Sequence, residues 1–293
     1  MTHRFAVALA AAVAAFGIGI AAASAQEALE PKHESWSFHG PFGTFDQAQL
    51  QRGFKVYKEV CSSCHSLNLV SFQSLAGPDA LGYSDNQIRA LAATYQVTDG
   101  EDATGAPEKR AGRPSDHFPP PFPNDAAARA ALGGALPPDL SLIVKARTFE
   151  EGFPRFLADP FTQYNEKGED YVYSILTGFG ETPPASEGKH PGQYYNPYFP
   201  GHWIAMPPPL TDGRVEYTDG SPQTVDQYAK DVVAFLTFAA EPHLMARKRI
   251  GFQAIIFLLV LCGLLYFTKH RIWDRDPHRG HSGEGDAVPS RGH

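Results

Sequence analysis

The sequence predicts a mainly α-helical domain with long Pro- and Gly-rich loops, followed by one carboxy-terminal transmembrane helix. Three observations carry that prediction. The 293 residues include 25 Pro and 27 Gly, too many chain breakers for a smooth helix bundle, so short helices joined by ordered loops are expected. Apolar residues recur at helical spacing in capped segments, whereas no alternating strand pattern of useful length appears. Finally, residues 250–268 form an uncharged apolar run, IGFQAIIFLLVLCGLLYFT, in which Gln253 is the one amide.

Composition narrows the class further. Hydrophobic residues make up 43% of the chain, which excludes a mainly disordered protein. The formal charge of −7 argues against a nucleic-acid binder, which needs a basic surface. Three cysteines cannot build a disulfide scaffold, and two of them stand together as Cys61 and Cys64.

The chain opens with Arg4, an Ala-rich apolar stretch and small residues at Ala23 and Ala25. That layout is a secretory signal over residues 1–25 with cleavage before Gln26; an uncleaved amino-terminal anchor is the competing reading. The exported domain then spans 26–249. Residues 26–246 hold 16 basic and 28 acidic residues, a net −12, with acidic groups dense at 99–102 and 166–170. The apolar run covers roughly 28 Å as a helix at ~1.5 Å per residue, close to bilayer hydrocarbon thickness. Arg247, Lys248 and Arg249 precede it, and Lys269 and Arg271 follow, so flanking charge leaves orientation undecided. Export of the amino terminus decides it, leaving 269–293 as a cytoplasmic tail whose His270, His278, His281 and His293 read as a solvated terminus.

Within the exported domain, Thr44-Phe-Asp-Gln47 reads as a capping box opening a helix with Leu50, Phe54 and Tyr57 on one face. A second box, Thr224-Val-Asp-Gln227, opens a helix with Tyr228, Val232, Phe235, Leu236 and Ala239 on one side, stopped before Pro242. Shorter helices are expected at 85–95, 139–147 and 169–178.

The chemistry sits at Cys61-Ser-Ser-Cys64-His65, the C-x-x-C-H pattern of covalent haem attachment. Two thiols can add to the two vinyl groups of one haem, and the adjacent imidazole supplies an axial nitrogen. A redox-active dithiol would not require the His, and a zinc site would need further Cys or His at ligand spacing. Of three methionines, Met1 leaves with the signal and Met245 lies at the membrane boundary. Met206 remains, in Trp203-Ile-Ala-Met206-Pro-Pro-Pro, where prolines stiffen the loop that presents its thioether. Taken alone a methionine is more often core filler; with a haem in the domain, Met206 is the candidate sixth ligand. Met and His together make a six-coordinate redox iron, whereas an open position permits catalysis or gas sensing.

Several stretches together resemble one family: CSSCHSLNLVSF at 61–72, FPPPFPNDAAARAALGGALPPDLSLIVKAR at 118–147, GEDYVYSILTGF at 168–179, NPYFPGHWIAMPPPL at 196–210 and YAKDVVAFLTFAAEPHLMARKRIG at 228–251. The family is cytochrome c1, the haem subunit of the quinol–cytochrome c reductase (cytochrome bc1 complex), in its bacterial form. The resemblance implies one haem c attached through Cys61 and Cys64, with His65 and Met206 as axial ligands. It also implies Arg147 near a haem propionate, and Pro138 and Tyr171 lining the pocket. By resemblance the subunit makes and breaks no substrate bonds itself. It takes one electron from the Rieske iron–sulfur subunit and passes it to a soluble or tethered c-type cytochrome. Its expected partners are cytochrome b and the Rieske protein in a dimeric complex at the bacterial inner membrane, with the haem domain periplasmic. A c-type subunit feeding a terminal oxidase, or a haem catalyst or sensor with an open iron position, would be the alternatives. The chain departs from the shorter animal-type form by the segment 148–167 and by Leu132-Gly133 in place of two Asn residues.

Overall fold

The structure, a computed structural model, describes residues 28–101, 104–147, 167–184, 187–188 and 190–273. The expected signal, the segment 148–166 and the tail beyond Trp273 lie outside the described residues. Two compact units divide at Pro242 and His243.

The first unit is built on two packed helices, α1 (Gln47–Glu59) and α6 (Val225–Ala240). Their apolar faces are those the 3.6-residue period predicts: Leu50, Phe54 and Tyr57 are buried on α1, and Tyr228, Val232, Phe235 and Leu236 on α6. The helices cross at Gly53. A Cβ there would lie 2.0 Å from the Asp231 carbonyl oxygen and 2.8 Å from Cβ of Phe235, so the contact requires glycine. Beside the crossing, Arg52 donates from Nε and Nη2 to the buried Asp231 at 2.9 and 3.2 Å, and from Nη1 to Asp219 at 2.9 Å. The buried carboxylate is thus met by a two-pronged, charge-assisted partner.

The helix starts differ from the sequence reading in two respects. Thr224 caps α6 as expected, its hydroxyl accepting from the Gln227 N–H, although the Gln227 amide turns away to Asp231. On α1 the cap is Asp46, whose carboxylate accepts from the Ala48 N–H, and not Thr44. The chain is still non-helical at Thr44, whose N–H donates to Ser37, and this lets Phe45 pack against Phe38 and Phe238.

Short elements surround the pair: α2 (Asp85–Ala93), α3 (Asp125–Ala131), α4 (Ile143–Ala146) and α5 (Gly168–Thr177). Only the last turn of the expected 139–147 helix forms, because residues 138–141 are held in a non-helical turn by bonds described below. The helix α3 was not anticipated, its Ala-rich sequence lacking an apolar stripe. It ends in a Schellman motif: Gly133 and Gly134 have φ of 62° and 96°, and the Gly134 N–H donates to the Arg129 carbonyl.

The chain also contains strands that the sequence did not suggest. A hairpin pairs β1 (Gln96–Glu101) with β2 (Pro107–Ala111), bulged between Thr98 and Glu101, and β3 (Tyr194–Tyr195) pairs with β4 (Trp203–Ile204). Both hairpins are short, and β1 is mostly exposed, so neither needs an alternating pattern. An aromatic cluster of Phe54, Tyr57, Phe72, Tyr95, Phe118 and Phe235 fills the space between α1 and the loops, with Phe72 and Phe118 centroids 4.3 Å apart. The segment 28–39 is strapped over α5: Glu34 N–H and Trp36 Nε1 donate to Asp170 Oδ1 at 3.1 and 2.8 Å, and Lys32 N–H donates to Ser174 Oγ at 2.8 Å.

The second unit is α7 (Leu244–Trp273), a single helix containing the expected span 250–268. Phe257, Leu259 and Phe267 are 64, 68 and 71% exposed, on several faces of the helix. Such a surface is stable in hydrocarbon and not in water.

Candidate haem site

The Cys61–His65 segment leaves the carboxy-terminal end of α1, where Val60 closes the helix on Val56. Residues Cys61–Ser63 form a single 3-10 turn, with Cys64 N–H and His65 N–H both donating to the Cys61 carbonyl at 3.1 and 2.9 Å. In a 3-10 turn, residues three apart nearly eclipse, so the Cys61 and Cys64 side chains share one face. Both are free thiols. Tyr57, buried in the aromatic cluster, donates from its hydroxyl to the His65 carbonyl at 3.3 Å and ties the turn to α1.

His65 is oriented from a distance. Its Nδ1 lies 2.8 Å from the Pro138 carbonyl oxygen. A carbonyl only accepts, so Nδ1 carries the proton and Nε2 keeps its lone pair. Burial dominates the imidazole's titration and lowers its pKa, against the smaller raising effects of Pro138 and Asp139. The ring is therefore held neutral, in the one tautomer that offers Nε2 to a metal.

The Pro138 carbonyl is itself fixed by a clip that sequence reasoning missed. Asp139 Oδ2 accepts from Ser66 Oγ at 2.7 Å and from the Asn68 N–H at 2.8 Å, while Oδ1 accepts from the Ser141 N–H at 2.8 Å. Ser141 Oγ in turn accepts from the Leu69 N–H at 3.0 Å, and the Leu140 N–H donates to the Ser66 carbonyl. Burial works against the Asp139 charge, but the bonds from Asn68, Ser141 and Ser66 outweigh it and hold its pKa below the ordinary value. These bonds hold 139–141 in a non-helical turn closed on the Asp139 carboxylate, which is why α4 starts only at Ile143. The Asp-x-Ser spacing at 139–141, an Asx-turn signal, was the available clue.

The remaining candidates fall on two further segments. Gly168 starts α5 against α4, a Cβ there meeting the Val144 carbonyl at 1.7 Å. That contact brings Tyr171 beside Arg147: burial raises the Tyr171 hydroxyl pKa, and the Arg147 charge acts in the opposite direction. Arg147 itself is exposed at the end of α4. Met206 is half-buried, two residues beyond β4, on a loop tied to α5. The tie is Asn196, fully buried, whose Nδ2 donates to the Ile175 carbonyl at 2.8 Å and whose Oδ1 accepts from the Tyr198 N–H. Gly178 makes room for it, since a Cβ there would lie 2.6 Å from the Tyr198 ring. The structure thus joins His65 to Pro138, sets Arg147 where its charge acts on Tyr171, and places Met206 on an α5-anchored loop.

Two other chemistries fit this arrangement poorly. A redox dithiol needs a depressed thiol pKa, whereas burial, and secondarily Cys64, pushes the Cys61 thiol up to about 12. A zinc site needs three or four converging ligands, and among the described residues no group of three or more His, Cys, Asp or Glu side chains is placed to hold a metal ion. Two thiols on one face beside one neutral imidazole are the donor set of a c-type haem.

Residues 36–276 match the profile of the Cytochrome C1 family, which is most of the chain. The chain belongs to the cytochrome c1 family. Among its relatives, the cytochrome c1 of Blastochloris viridis is 48% identical over 262 residues, covering 88% of this chain and 92% of that protein. The mitochondrial cytochrome c1 haem protein of Saccharomyces cerevisiae is 44% identical over 250 residues, 85% of this chain and 74% of that one. The cytochrome b/c1 of Bradyrhizobium diazoefficiens is 54% identical over 92% of this chain, which spans only 39% of that longer protein. A cytochrome c1 carries covalently bound haem c and serves as a redox subunit of a bc1 complex, and the residues at Cys61–His65 fit that cofactor. In this chain the apolar helix α7, long and apolar enough to cross a membrane, provides the anchor.

Proposed function

We propose that Cys61 and Cys64 hold one haem c through thioether bonds, with His65 Nε2 and the Met206 thioether as its axial ligands. The bound haem supplies a one-electron Fe(III)/Fe(II) couple. The observation that carries the reading is the bond between His65 Nδ1 and the Pro138 carbonyl, which leaves Nε2 bare and aimed by a fixed backbone. Pro138 acts through that carbonyl, raising the basicity of the ligand nitrogen and fixing the ring plane. Arg147, beside Tyr171, provides the positive charge a carboxylate-bearing cofactor requires at its polar edge. Met206, held by a loop anchored on α5 and followed by Pro207, Pro208 and Pro209, offers a sulfur that favours the ferrous state.

In this role the chain takes one electron from a Rieske iron–sulfur subunit and hands it to a soluble or tethered c-type cytochrome. Its neighbours are cytochrome b and the Rieske protein, in a dimeric complex. Residues 26–249 lie on the periplasmic side after removal of residues 1–25, and the tail lies in the cytoplasm. The test is gentle purification of the membrane complex, with subunits identified and the protein extracted in acidified acetone. Cytochrome b and an iron–sulfur protein should co-purify, and the haem should stay with this polypeptide. Extractable haem, or co-purification with a terminal oxidase alone, would overturn the reading.

A further inference from the structure

The loop that ends at Met206 contains a buried pair that the haem site does not use. His202 Nδ1 and Glu187 Oε1 lie 2.7 Å apart, with side chains only 13 and 4% exposed. Their remaining polar atoms, His202 Nε2 and Glu187 Oε2, are buried without a hydrogen-bond partner. A carboxylate in such surroundings persists because its partner is in place, and each group loses heavily if the other goes. The backbone at His202 is strained as well. Its φ is 63°, directly after Gly201 at 78°, in the left-handed region that a β-carbon disfavours.

The strained residue sits at a mechanical junction. The His202 N–H donates to the Phe199 carbonyl at 2.7 Å, and its carbonyl accepts from the Asn196 N–H at 2.8 Å, closing the turn between β3 and β4. Two paired residues follow, Trp203 against Tyr195 and Ile204 against Tyr194, and then Ala205 and Met206. Asn196 fixes the entry of this turn to α5, and the Glu187 bond fixes its exit. Beyond Met206, three prolines leave the chain little freedom to absorb an error.

We propose that Glu187 and His202 are a positioning pair for Met206, holding the turn in its left-handed geometry so that the thioether remains at the iron. This rests on the reading of Met206 as axial ligand. Loss of the pair lets the turn relax toward ordinary dihedrals and raises the fraction of molecules in which the sulfur has let go. An external ligand for the sixth position then binds with an apparent affinity that scales with that fraction.

The experiment measures imidazole affinity of the ferric protein, carbon monoxide binding to the ferrous protein and midpoint potential in the intact complex. Covalent haem content serves as the check on folding. His202→Asn keeps a residue that tolerates positive φ but is too short to reach Glu187; Glu187→Leu removes the acceptor. Both should raise imidazole affinity by about tenfold or more and lower the potential. Glu187→Gln, which still offers an oxygen to Nδ1–H, should stay close to the parent, and the double variant should be no worse than the worse single one. Met206→Leu is the reference. If it admits carbon monoxide while His202→Asn and Glu187→Leu behave as the parent, the positioning role is wrong and the ligand assignment stands. If Met206→Leu itself leaves the ferrous haem closed to carbon monoxide, the ligand assignment is what fails. Should Glu187→Leu yield little haem protein, His202→Ala, which deletes the pair while keeping the β-carbon that disfavours the left-handed turn, gives the same discrimination: parent-like affinity would overturn the proposal.

Discussion

Nδ1 of His65 is 2.8 Å from the carbonyl oxygen of Pro138, 73 residues further along the chain. The bond cannot be removed by side-chain substitution, but the clip that aims it can. Asp139→Ala would leave Ser66 Oγ and the Asn68 and Ser141 N–H groups without their acceptor. We expect a loss of about 1–3 kcal/mol in denaturant unfolding. The pH dependence follows from the lowered Asp139 pKa. A carboxylate that is more acidic folded than unfolded contributes stability above the unfolded value of about 4. That contribution fades as pH falls through the lower, folded value. Melting temperatures of parent and Asp139→Asn should therefore converge in acid and diverge above pH 5.

Met206 gives the sharpest spectroscopic test. Met206→Leu should keep its covalent haem, lose potential, and bind about one carbon monoxide per ferrous haem, where the parent binds almost none. Titration of the reduced, purified complex with carbon monoxide reads this directly. An unchanged spectrum and potential would move the sixth ligand elsewhere.

Glu169 titrates near neutrality for a structural reason. Burial, reinforced by Asp170 and Glu241 and opposed by its own backbone N–H and by Lys145, pushes its pKa up to about 7. His39 Nε2 also lies 3.9 Å from its Oε2. A carboxyl that binds its proton more tightly folded than unfolded makes the native state lose stability as pH rises from about 4.5 through 7. Glu169→Gln, permanently neutral, should lack that decline. Its melting temperature should match the parent near pH 5 and exceed it at pH 8.

The helix crossing at Gly53 sets a stricter limit. Gly53→Ala places a methyl group 2.0 Å from the Asp231 carbonyl and forces α1 and α6 apart. Against that, alanine's better helix propensity offers roughly 1 kcal/mol. We expect a net destabilisation of at least about 2 kcal/mol by denaturant titration, and lower yields of haem protein because the Cys61 turn hangs from the end of α1.

What the sequence disclosed and what it concealed divide along physical lines. Leu50, Phe54 and Tyr57, or Tyr228, Val232 and Phe235, announce their helices because burial on one face leaves a periodic trace in a short stretch of chain. Cys61, Cys64 and His65 are legible because thioether attachment needs neighbours in sequence. Neither condition holds for the second layer of the site. The partner of His65 is a main-chain oxygen, which any residue could supply, and Asp139, apart from its Asp-x-Ser spacing, reads like a solvated carboxylate. Glu169 and Asp170 show the same blindness in reverse. They read as part of an exposed acidic run, yet they are 3 and 0% exposed because the segment 28–39 lies over them. The hairpin β1–β2 escaped notice because its exposed, polar strands carry no face to alternate.

The burial of Glu169 and Asp170 decides where the acceptor is to be sought. Two acidic clusters, at 99–102 and 166–170, are the candidates for steering a basic cytochrome. The second cannot serve through Glu169 or Asp170, since neither carboxylate reaches solvent. Asp99 and Glu101 are exposed on the β1–β2 hairpin. Asp99 is held by Arg110 Nε at 2.5 Å, but that guanidinium is also shared with Asp116, so the hairpin tip keeps an acidic surplus. Summed charge of this kind raises encounter rates without a large contact area, which suits a carrier that must release its partner quickly. The Debye length shrinks from ~30 Å at 0.01 M salt to ~10 Å at 0.1 M, so steering should fade across that interval. The second-order rate of reduction of a basic cytochrome c, measured by stopped flow below saturation, should fall steeply over the same range. In Glu101→Gln/Asp102→Asn the slope should be visibly shallower and the high-salt rate unchanged, while Glu169→Gln should keep the parental slope. A parental slope in the hairpin variant would place the docking charge elsewhere on the domain, and a rate indifferent to salt in the parent would leave the acidic surplus with solubility as its role.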